Sequence, residues 1–337
     1  MGLSINSYSF FIAILGLYMA FYQSDYSFIV SLDFGNSFSG TCCAITPRLS
    51  SKQSRASEYP EFLHVNNWPE QYEFQRKTPS IIAYDRNLHL LHWGMTAFNL
   101  RKNGQLKDDQ RIVEKFKFGL PTSIAQKGAF RPAGNTSINQ LINMRAAIDF
   151  FREIMDHTVA NLLNDEKENI RFVITVPEQW NDAQKSLMRF VAIEAGLISE
   201  DDFEQRLLII NESLAALLYC ERNTNIDGKK YNDKKNEFML KNDKYMICDA
   251  GGATVSIAVF EAAQHNNDNF RRCQLTAGIE YNCGSAFLDL KMKEALLNIC
   301  FGADKEAWKD NNSKKEALEL LITPLVEQFR LSKVLKS

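Results

Sequence analysis

The hydrophobic and polar positions in the first third of the chain alternate in short blocks, which is typical of β-strands. Residues 26–45 form two apolar runs around a short polar turn, with Asp33 closing the first run and Gly35 inside the turn. Apolar and polar residues alternate again on both sides of Asp85, and this pattern predicts a second hairpin. Residues 46–80 and the stretch after the second hairpin are polar or mixed, and we expect irregular structure and a long loop there.

Helical and strand patterns alternate through the rest of the chain, which indicates an α/β fold. Between Asn143 and Leu163 apolar residues recur every three or four positions and therefore share one face of a helix. A buried strand is predicted over residues 171–176, where Pro177 stops it. The later predicted elements are a helix capped at Asn181 and ending at Gly196, a strand over 207–210, a helix beginning near Ser213, a strand from Tyr245 that stops at Asp249, a strand over 254–260 and a helical segment from Ser285 onward.

Length and composition indicate a folded protein with two lobes. The 337 residues exceed the roughly 250–300 residues over which a single hydrophobic core usually grows. The net charge of -2 gives no general attraction to nucleic acid or to an anionic membrane. The seven cysteines form no CxxC pair, which argues against a zinc cluster or a disulfide framework and favours reduced thiols in the cytoplasm.

The segment from Phe10 to Tyr22 is almost wholly apolar and occupies the position of a targeting signal or an anchor. It is shorter than the ~20 residues that a membrane-spanning helix needs, and no basic residue precedes it. We therefore expect residues 1–25 to form an N-terminal appendage of a cytoplasmic protein. Membrane association through residues 10–22 is the alternative.

Two copies of one turn design carry the candidate chemistry, DFGNSFSG at residues 33–40 and DAGGATVS at residues 249–256. In each copy an apolar strand ends at an aspartate, and a turn with glycine and hydroxyl residues follows. Glycine lets backbone N–H groups approach an anion, hydroxyl groups add donors, and the acid can hold a hydrated cation. One copy alone would indicate only a tight turn, whereas two copies at matching strand ends favour a clamp for a polyphosphate and its metal. The chain contains neither a GxxxxGKS/T loop nor a GxGxxG loop.

Five motifs resemble, in their order, the ATPase domain of the DnaK-like 70-kDa heat-shock chaperone family: DFGNSFSG, KTPSIIAY, FVITVPEQWNDAQKSLMRFVAIEAGL, LLIINESLAALLY and YMICDAGGATVSIAVFE. The resemblance covers residues 28 to about 300, and CGSAFLD at residues 283–289 is similar to a divergent branch of the family. It implies the actin-like ATPase fold, with a first RNase-H-like lobe over residues 26–205 and a second over residues 206–337. Because the chain contains no GGxxxxP-like adenosine motif, we expect the second lobe to be incomplete.

The resemblance also implies a role for each residue that matches a family motif. Asp33 and Asp249 would hold Mg²⁺ through water from opposite sides of a cleft. Lys117, Glu212 and Asp249 would be catalytic, and Glu212 would also couple the lobes. For Lys117 the alternative is a surface lysine on an amphipathic helix, and for Pro177 the family's hinge and a plain strand end are both open. The residues that would bind ATP or ADP are Gly35, Asn36, Ser37 and Phe38 in the first lobe and Gly251, Gly252, Thr254 and Gly284 in the second.

Three departures from the family pattern bear on catalysis. Asn36 replaces a phosphate-contacting threonine, Ala253 replaces the third glycine of the second turn, and Ser256 replaces an aspartate that supports the metal. Losing that carboxylate weakens metal retention and slows hydrolysis more than it weakens nucleotide binding.

The resemblance implies a chaperone ATPase that hydrolyses ATP with magnesium, with client or co-chaperone proteins as partners and no nucleic acid. One alternative is a catalytically weak or inactive regulatory or interaction module of the same fold, or a gene fragment. Another is a sugar kinase that shares the fold, although the sequence offers no aspartate that we can assign to its sugar cleft.

Overall fold

A computed structural model of the protein describes residues 26–45, 61–71, 75–121, 136–163, 169–223, 244–266, 269–301, 321–326 and 328–329. The predicted N-terminal appendage, with its apolar segment 10–22, lies outside these residues. Within the described ranges no helix is long and apolar enough to cross a membrane.

Strands and helices alternate along the described chain, which confirms the predicted α/β class. The strands are β1 (Phe28–Asp33), β2 (Phe38–Ile45), β3 (Glu61–His64), β4 (Thr78–Pro79), β5 (Ile81–Tyr84), β6 (Leu90–Trp93), β7 (Arg111–Glu114), β8 (Ile170–Val176), β9 (Leu207–Asn211), β10 (Lys244–Ala250), β11 (Val255–Asn266), β12 (Asn269–Gln274) and β13 (Ile279–Tyr281). The helices are α1 (Gly94–Lys102), α2 (Ile138–Leu162), α3 (Asp182–Glu194), α4 (Glu212–Asn223) and α5 (Ser285–Phe301), with a 3-10 turn at Glu204–Arg206.

The first candidate turn lies at the edge of a six-stranded sheet where β1 ends. Its strand order is β3-β2-β1-β8-β9, and β4 also pairs with β2. Strands β1 and β2 form the predicted hairpin, in which Asp33 lies opposite Gly40. β1 also pairs with β8 in parallel, and every residue of β8 is buried, as expected for a parallel strand covered on both faces. Because β1 ends at Asp33, this carboxylate lies at the carboxyl edge of the parallel strands, where α/β folds commonly bind ligands.

Helix α2, of 25 residues, supplies much of the core that supports this sheet. The helix begins before Asn143, where the apolar pattern starts, because Ser137 and Gln140 form a capping box that satisfies the first backbone donors. The side chains of Phe151 and Ile154 are fully buried and belong to the same hydrophobic cluster as residues of β1 and β8. The apolar stripe therefore identified the buried face of the helix correctly, and the cap determined its start.

Two stretches that the polar pattern marked as irregular contain regular elements. The second hairpin forms as predicted from β5 and β6, but the expected loop after it contains α1 and β7. Residues 46–80 likewise include β3 and β4. The reason is long-range pairing: β7 lies against β5 although Val113 is its only buried residue, and β4 is two residues that pair with β2. Tertiary contacts override the weak local pattern in these segments.

A four-stranded sheet repeats the first hairpin design. β10 and β11 form its hairpin, and β12 and β13 both pair with β11. Helix α4 connects the two sheets, because Ala215 and Leu217 pack against Ile247 and Phe260 while the helix follows directly from β9. β9 pairs with β8 in the first sheet although it lies beyond residue 205. The division into lobes at residues 205 and 206 stays a prediction.

We expect Ile154→Ala to lower the free energy of unfolding by about 2–5 kcal/mol, because the substitution leaves a cavity beneath the first sheet. Urea denaturation followed by circular dichroism measures this loss. Ile138→Ala on the same helix is the matched control, since Ile138 is 69% exposed. Its truncation should change stability by less than about 0.5 kcal/mol, and equal losses for the two variants would contradict the burial of this helix face.

Candidate functional site

The first candidate turn is tightly fixed by short polar contacts. The backbone N–H of Gly35 donates to Ser39 Oγ at 3.1 Å, and Ser80 Oγ donates to the Gly35 carbonyl at 2.8 Å. The two serine hydroxyls are themselves 2.8 Å apart. A side chain at position 35 would collide with the carbonyl oxygen of Phe38, so the turn requires glycine there. The turn between β1 and β2 is therefore preorganised by β4 and the residue that follows it.

The second candidate turn is fixed by the start of helix α5. The backbone N–H groups of Gly284 and Ser285 donate to the carbonyls of Ala253 and Gly251 at 2.9 and 3.0 Å. A Cβ atom on Gly284 would lie 2.6 Å from the Thr254 nitrogen, so the backbones pack directly against each other. The structure thus places Gly284 behind the turn, where the absence of a side chain permits this packing.

The two turns approach each other across one crevice. A Cβ atom on Gly252 of the second turn would lie only 2.9 Å from Ser37 Oγ of the first. Burial and, after it, the negative charges of Glu212 and Asp33 raise the pKa of Asp249 to about 7. Because such charge effects act over short distances in a protein, Asp33 and Asp249 lie in the same crevice. The structure therefore brings together the two turns that the sequence identified.

Lys117 lies at the base of this crevice and is buried. It follows β7 in a turn, so the alternative of a surface lysine on an amphipathic helix is wrong. Its Nζ atom donates to the Phe34 carbonyl at 2.6 Å and to Glu212 Oε1 at 2.7 Å. The ammonium also lies 5.5 Å from the centre of the Phe34 ring. These contacts hold a positive charge between the end of β1 and the first residue of α4.

The pKa of Glu212 is also raised. Burial is the largest cause, the Lys117 ammonium counteracts it, and the charges of Asp33 and Glu280 raise the pKa further. The carboxylates of Asp33 and Glu280 thus repel that of Glu212, and the Lys117 ammonium offsets part of this repulsion. Such an arrangement gains stability when another cation, or a ligand that brings one, enters the crevice.

Two charged residues of this site were given no role by the sequence reasoning. Lys77 Nζ donates to Asp33 Oδ2 at 2.6 Å, and it stands at the start of the KTPSIIAY motif, which was the available signal. Glu280 lies in β13 opposite Ser256, and Ser256 in turn lies opposite Asp249. Residues directly opposite on neighbouring strands share a face of the sheet, so Asp249, Ser256 and Glu280 form one row across three strands. Glu280 therefore adds a carboxylate beside Ser256, which has none. No local pattern marks this three-residue strand.

Within the described ranges, no cluster of three or more acidic, histidine or cysteine side chains could ligate a metal directly. A cation held through water fits better, because the repelling charges of Asp33, Glu212 and Asp249 would be relieved by it. Asn36 Oδ1 is buried and has no hydrogen-bond partner in the described part of the chain, and a water molecule would supply one. Magnesium usually keeps several of its waters in proteins. The donor set therefore fits Mg²⁺ bound through water.

A second polar cluster joins the two sheets beside the crevice. Glu178, directly after Pro177, accepts hydrogen bonds from Asn211 at 2.9 Å and from Gln274 at 2.6 Å. It also accepts one from Ser213. Asn211 ends β9 of the first sheet, whereas Gln274 ends β12 of the second. Pro177 directly follows β8 and stops it, as the pattern predicted, and its role as a hinge stays a prediction.

Removing the charge of Asp249 should stabilise the protein more at pH 8 than at pH 5. The folded-state pKa of about 7 lies above the ordinary 3.8, so the stability from this group is complete below pH 4 and is lost as the pH rises through 7. Asp249→Asn avoids that loss, and we expect its Tm to exceed the wild-type Tm by about 2–4 °C at pH 8, the change that about 1 kcal/mol produces in a domain of moderate size.

Thermal unfolding at both pH values tests this expectation. Asp108→Asn removes the same charge from an exposed turn and serves as the control. A difference between Asp249→Asn and the wild type that stays constant with pH would contradict the shared crevice.

No family model matches the chain. It is 24% identical to heat shock 70 kDa protein 12A of Homo sapiens and to the Mus musculus protein of that name, and 25% identical to heat shock 70 kDa protein 12B of Homo sapiens. Each alignment covers 84% of this chain and 46–47% of the relative, so the chain spans about half the length of the curated relatives it matches. The chain is thus distantly similar to divergent 70-kDa heat-shock proteins, and its mixed α/β architecture is consistent with an actin-like ATPase fold.

Proposed function

We propose that the chain binds ATP or ADP in the crevice between the two glycine turns, as the nucleotide-binding unit of an actin-like ATPase. The observation that carries the proposal is the meeting of the turns at Gly252 and Ser37, with Asp33, Asp249 and the buried Lys117 around them. A polyphosphate needs backbone and hydroxyl donors at close range together with a cation, and this crevice provides both. The distant similarity to heat shock 70 kDa proteins 12A and 12B supports it.

Hydrolysis, where it occurs, would rely on positioning and charge rather than on a covalent step. Lys117 is preorganised by the Phe34 carbonyl and Glu212 to stabilise negative charge on a transferred phosphoryl group. Asp33 and Asp249 would hold the waters of Mg²⁺ from the two sides of the crevice. When bound, the ion supplies charge neutralisation of the phosphates.

A second candidate is a regulatory or interaction module that binds nucleotide and hydrolyses it slowly or not at all. Ser256 favours this candidate, because it is buried between Asp249 and Glu280 and brings no charge to a position where the family pattern has an aspartate. Reduced charge around the metal lowers retention of Mg²⁺ and slows turnover. We therefore propose that nucleotide binding exceeds hydrolysis in importance for this chain.

A chaperone role is proposed by extension from the relatives, which are heat shock proteins. On this proposal the partners are client or co-chaperone proteins, and nucleic acid is not among them. A cytoplasmic location is part of the same proposal and agrees with the reduced cysteines expected from the sequence.

Calorimetric titration with ATP and measurement of phosphate release on one protein sample test these proposals together. Binding with release supports the ATPase, and binding with little release supports the module. The absence of ATP and ADP binding to the folded chain would overturn both.

We expect Gly252→Val to weaken ATP binding at least tenfold, which corresponds to about 1.4 kcal/mol. The added side chain would occupy the space beside Ser37 Oγ, where the two turns meet. Ala295→Val is the matched control, because Ala295 is exposed on α5 and lies outside both turns. The same calorimetric titration measures both variants, and unchanged affinity in Gly252→Val would place the nucleotide elsewhere.

A further inference from the structure

The backbone of Lys77 is held beside the first glycine turn. Strand β4 follows it directly, and its Thr78 pairs with Ser39 of β2. The next residue after β4, Ser80, donates its backbone N–H to the Ser37 carbonyl at 2.9 Å. Two neighbouring pairings therefore fix where the Lys77 side chain starts, at the wall of the crevice formed by the turn.

The Lys77 side chain places a positive charge on Asp33. The two charged groups are 2.6 Å apart, which is the distance of a charge-assisted hydrogen bond. The carboxylate is 9% exposed and the lysine side chain 22%, so the pair is largely shielded from water. The other carboxylate oxygen, Oδ1, accepts a hydrogen bond from Thr175 Oγ1 at 3.3 Å. Both oxygens of Asp33 thus have donors from the chain itself.

This arrangement changes what a divalent cation contributes to the site. A hydrated cation that approaches Asp33 must compete for this carboxylate with an ammonium that is tethered to the fold and already hydrogen-bonded to it. An anionic polyphosphate meets two ammonium groups instead, Lys77 at the wall and Lys117 at the base. The positive charge of Lys77 also reaches Asp249 on the opposite side. The lysine therefore acts on the acids of both turns.

We propose that Lys77 is a tethered cation of the nucleotide site: it neutralises Asp33 and presents its ammonium to the polyphosphate, so that ATP binding depends only weakly on a divalent cation. The inference rests on the proposed function, because it names how the same crevice holds the anionic end of the nucleotide. A tethered ammonium supplies charge without the cost of gathering a free ion from solution.

Calorimetric titration of the full chain with ATP, in MgCl₂ and in EDTA, tests the proposal. We expect the wild-type affinity to differ by less than about threefold between the two conditions. Lys77→Met should lose at least about tenfold in EDTA, the effect of one charge-assisted hydrogen bond, and should recover in MgCl₂. Lys77→Arg keeps the positive charge and should behave as the wild type. Lys107→Met removes a charge from an exposed turn and should leave both affinities unchanged.

A wild-type protein that binds ATP in MgCl₂ but loses at least tenfold in EDTA would overturn the role of Lys77 and leave nucleotide binding intact. Equal Mg²⁺ dependence in the wild type and in Lys77→Met would overturn it as well. A folded wild type that binds ATP in neither condition would overturn the proposed function itself. Circular dichroism establishes that each variant is folded, and if Lys77→Met does not fold, the wild-type comparison and Lys77→Arg decide the question.

Discussion

The hydrogen bonds of one buried ammonium, that of Lys117, determine how the parts of the crevice fit together. They join the Phe34 carbonyl, just after β1, to Glu212, the first residue of α4. Burying an ammonium is costly unless its charge is paired and its donors are used. The pairing is therefore geometrically demanding, and it fixes the start of α4 relative to the end of β1. Because α4 also packs against the second sheet, this single group links the placement of both glycine turns.

The acidic residues of the crevice come from elements far apart in the chain, and their mutual repulsion has a structural origin. Strand ends converge there: β1 ends at Asp33, and β10 carries Asp249 near its end. Cross-strand pairing then brings Glu280 into the same row through Ser256. Two lysines offset part of this negative charge. Because the fold brings strand ends together at the crevice, acidic side chains are concentrated there. The balance between these acids and the two lysines determines which ions bind in the crevice.

Much of the fold was predictable because its decisive segments are locally patterned. Residue spacing and turn chemistry predict three of them: the hairpin whose first strand ends at Asp33, the buried strand β8 and the amphipathic helix α2. The two aspartates were predictable because each directly follows an apolar run. The contacts of Lys77 and the position of Glu280 could not be predicted. They depend on β4 and β13, which are only two and three residues long. Such short strands exist only through pairing with distant partners, and no local pattern records that pairing.

Gly278 permits a very close contact between the two sheets. A Cβ atom at this position would overlap the side chain of Glu178, which belongs to the first sheet's connection, whereas Gly278 directly precedes β13 of the second. The two sheets therefore come as close as a single hydrogen atom permits at this point. A side chain at position 278 would have to displace Glu178, and with it the hydrogen bonds that Glu178 accepts from Asn211 and Gln274. One missing side chain is thus the condition for the polar seam that joins the two sheets.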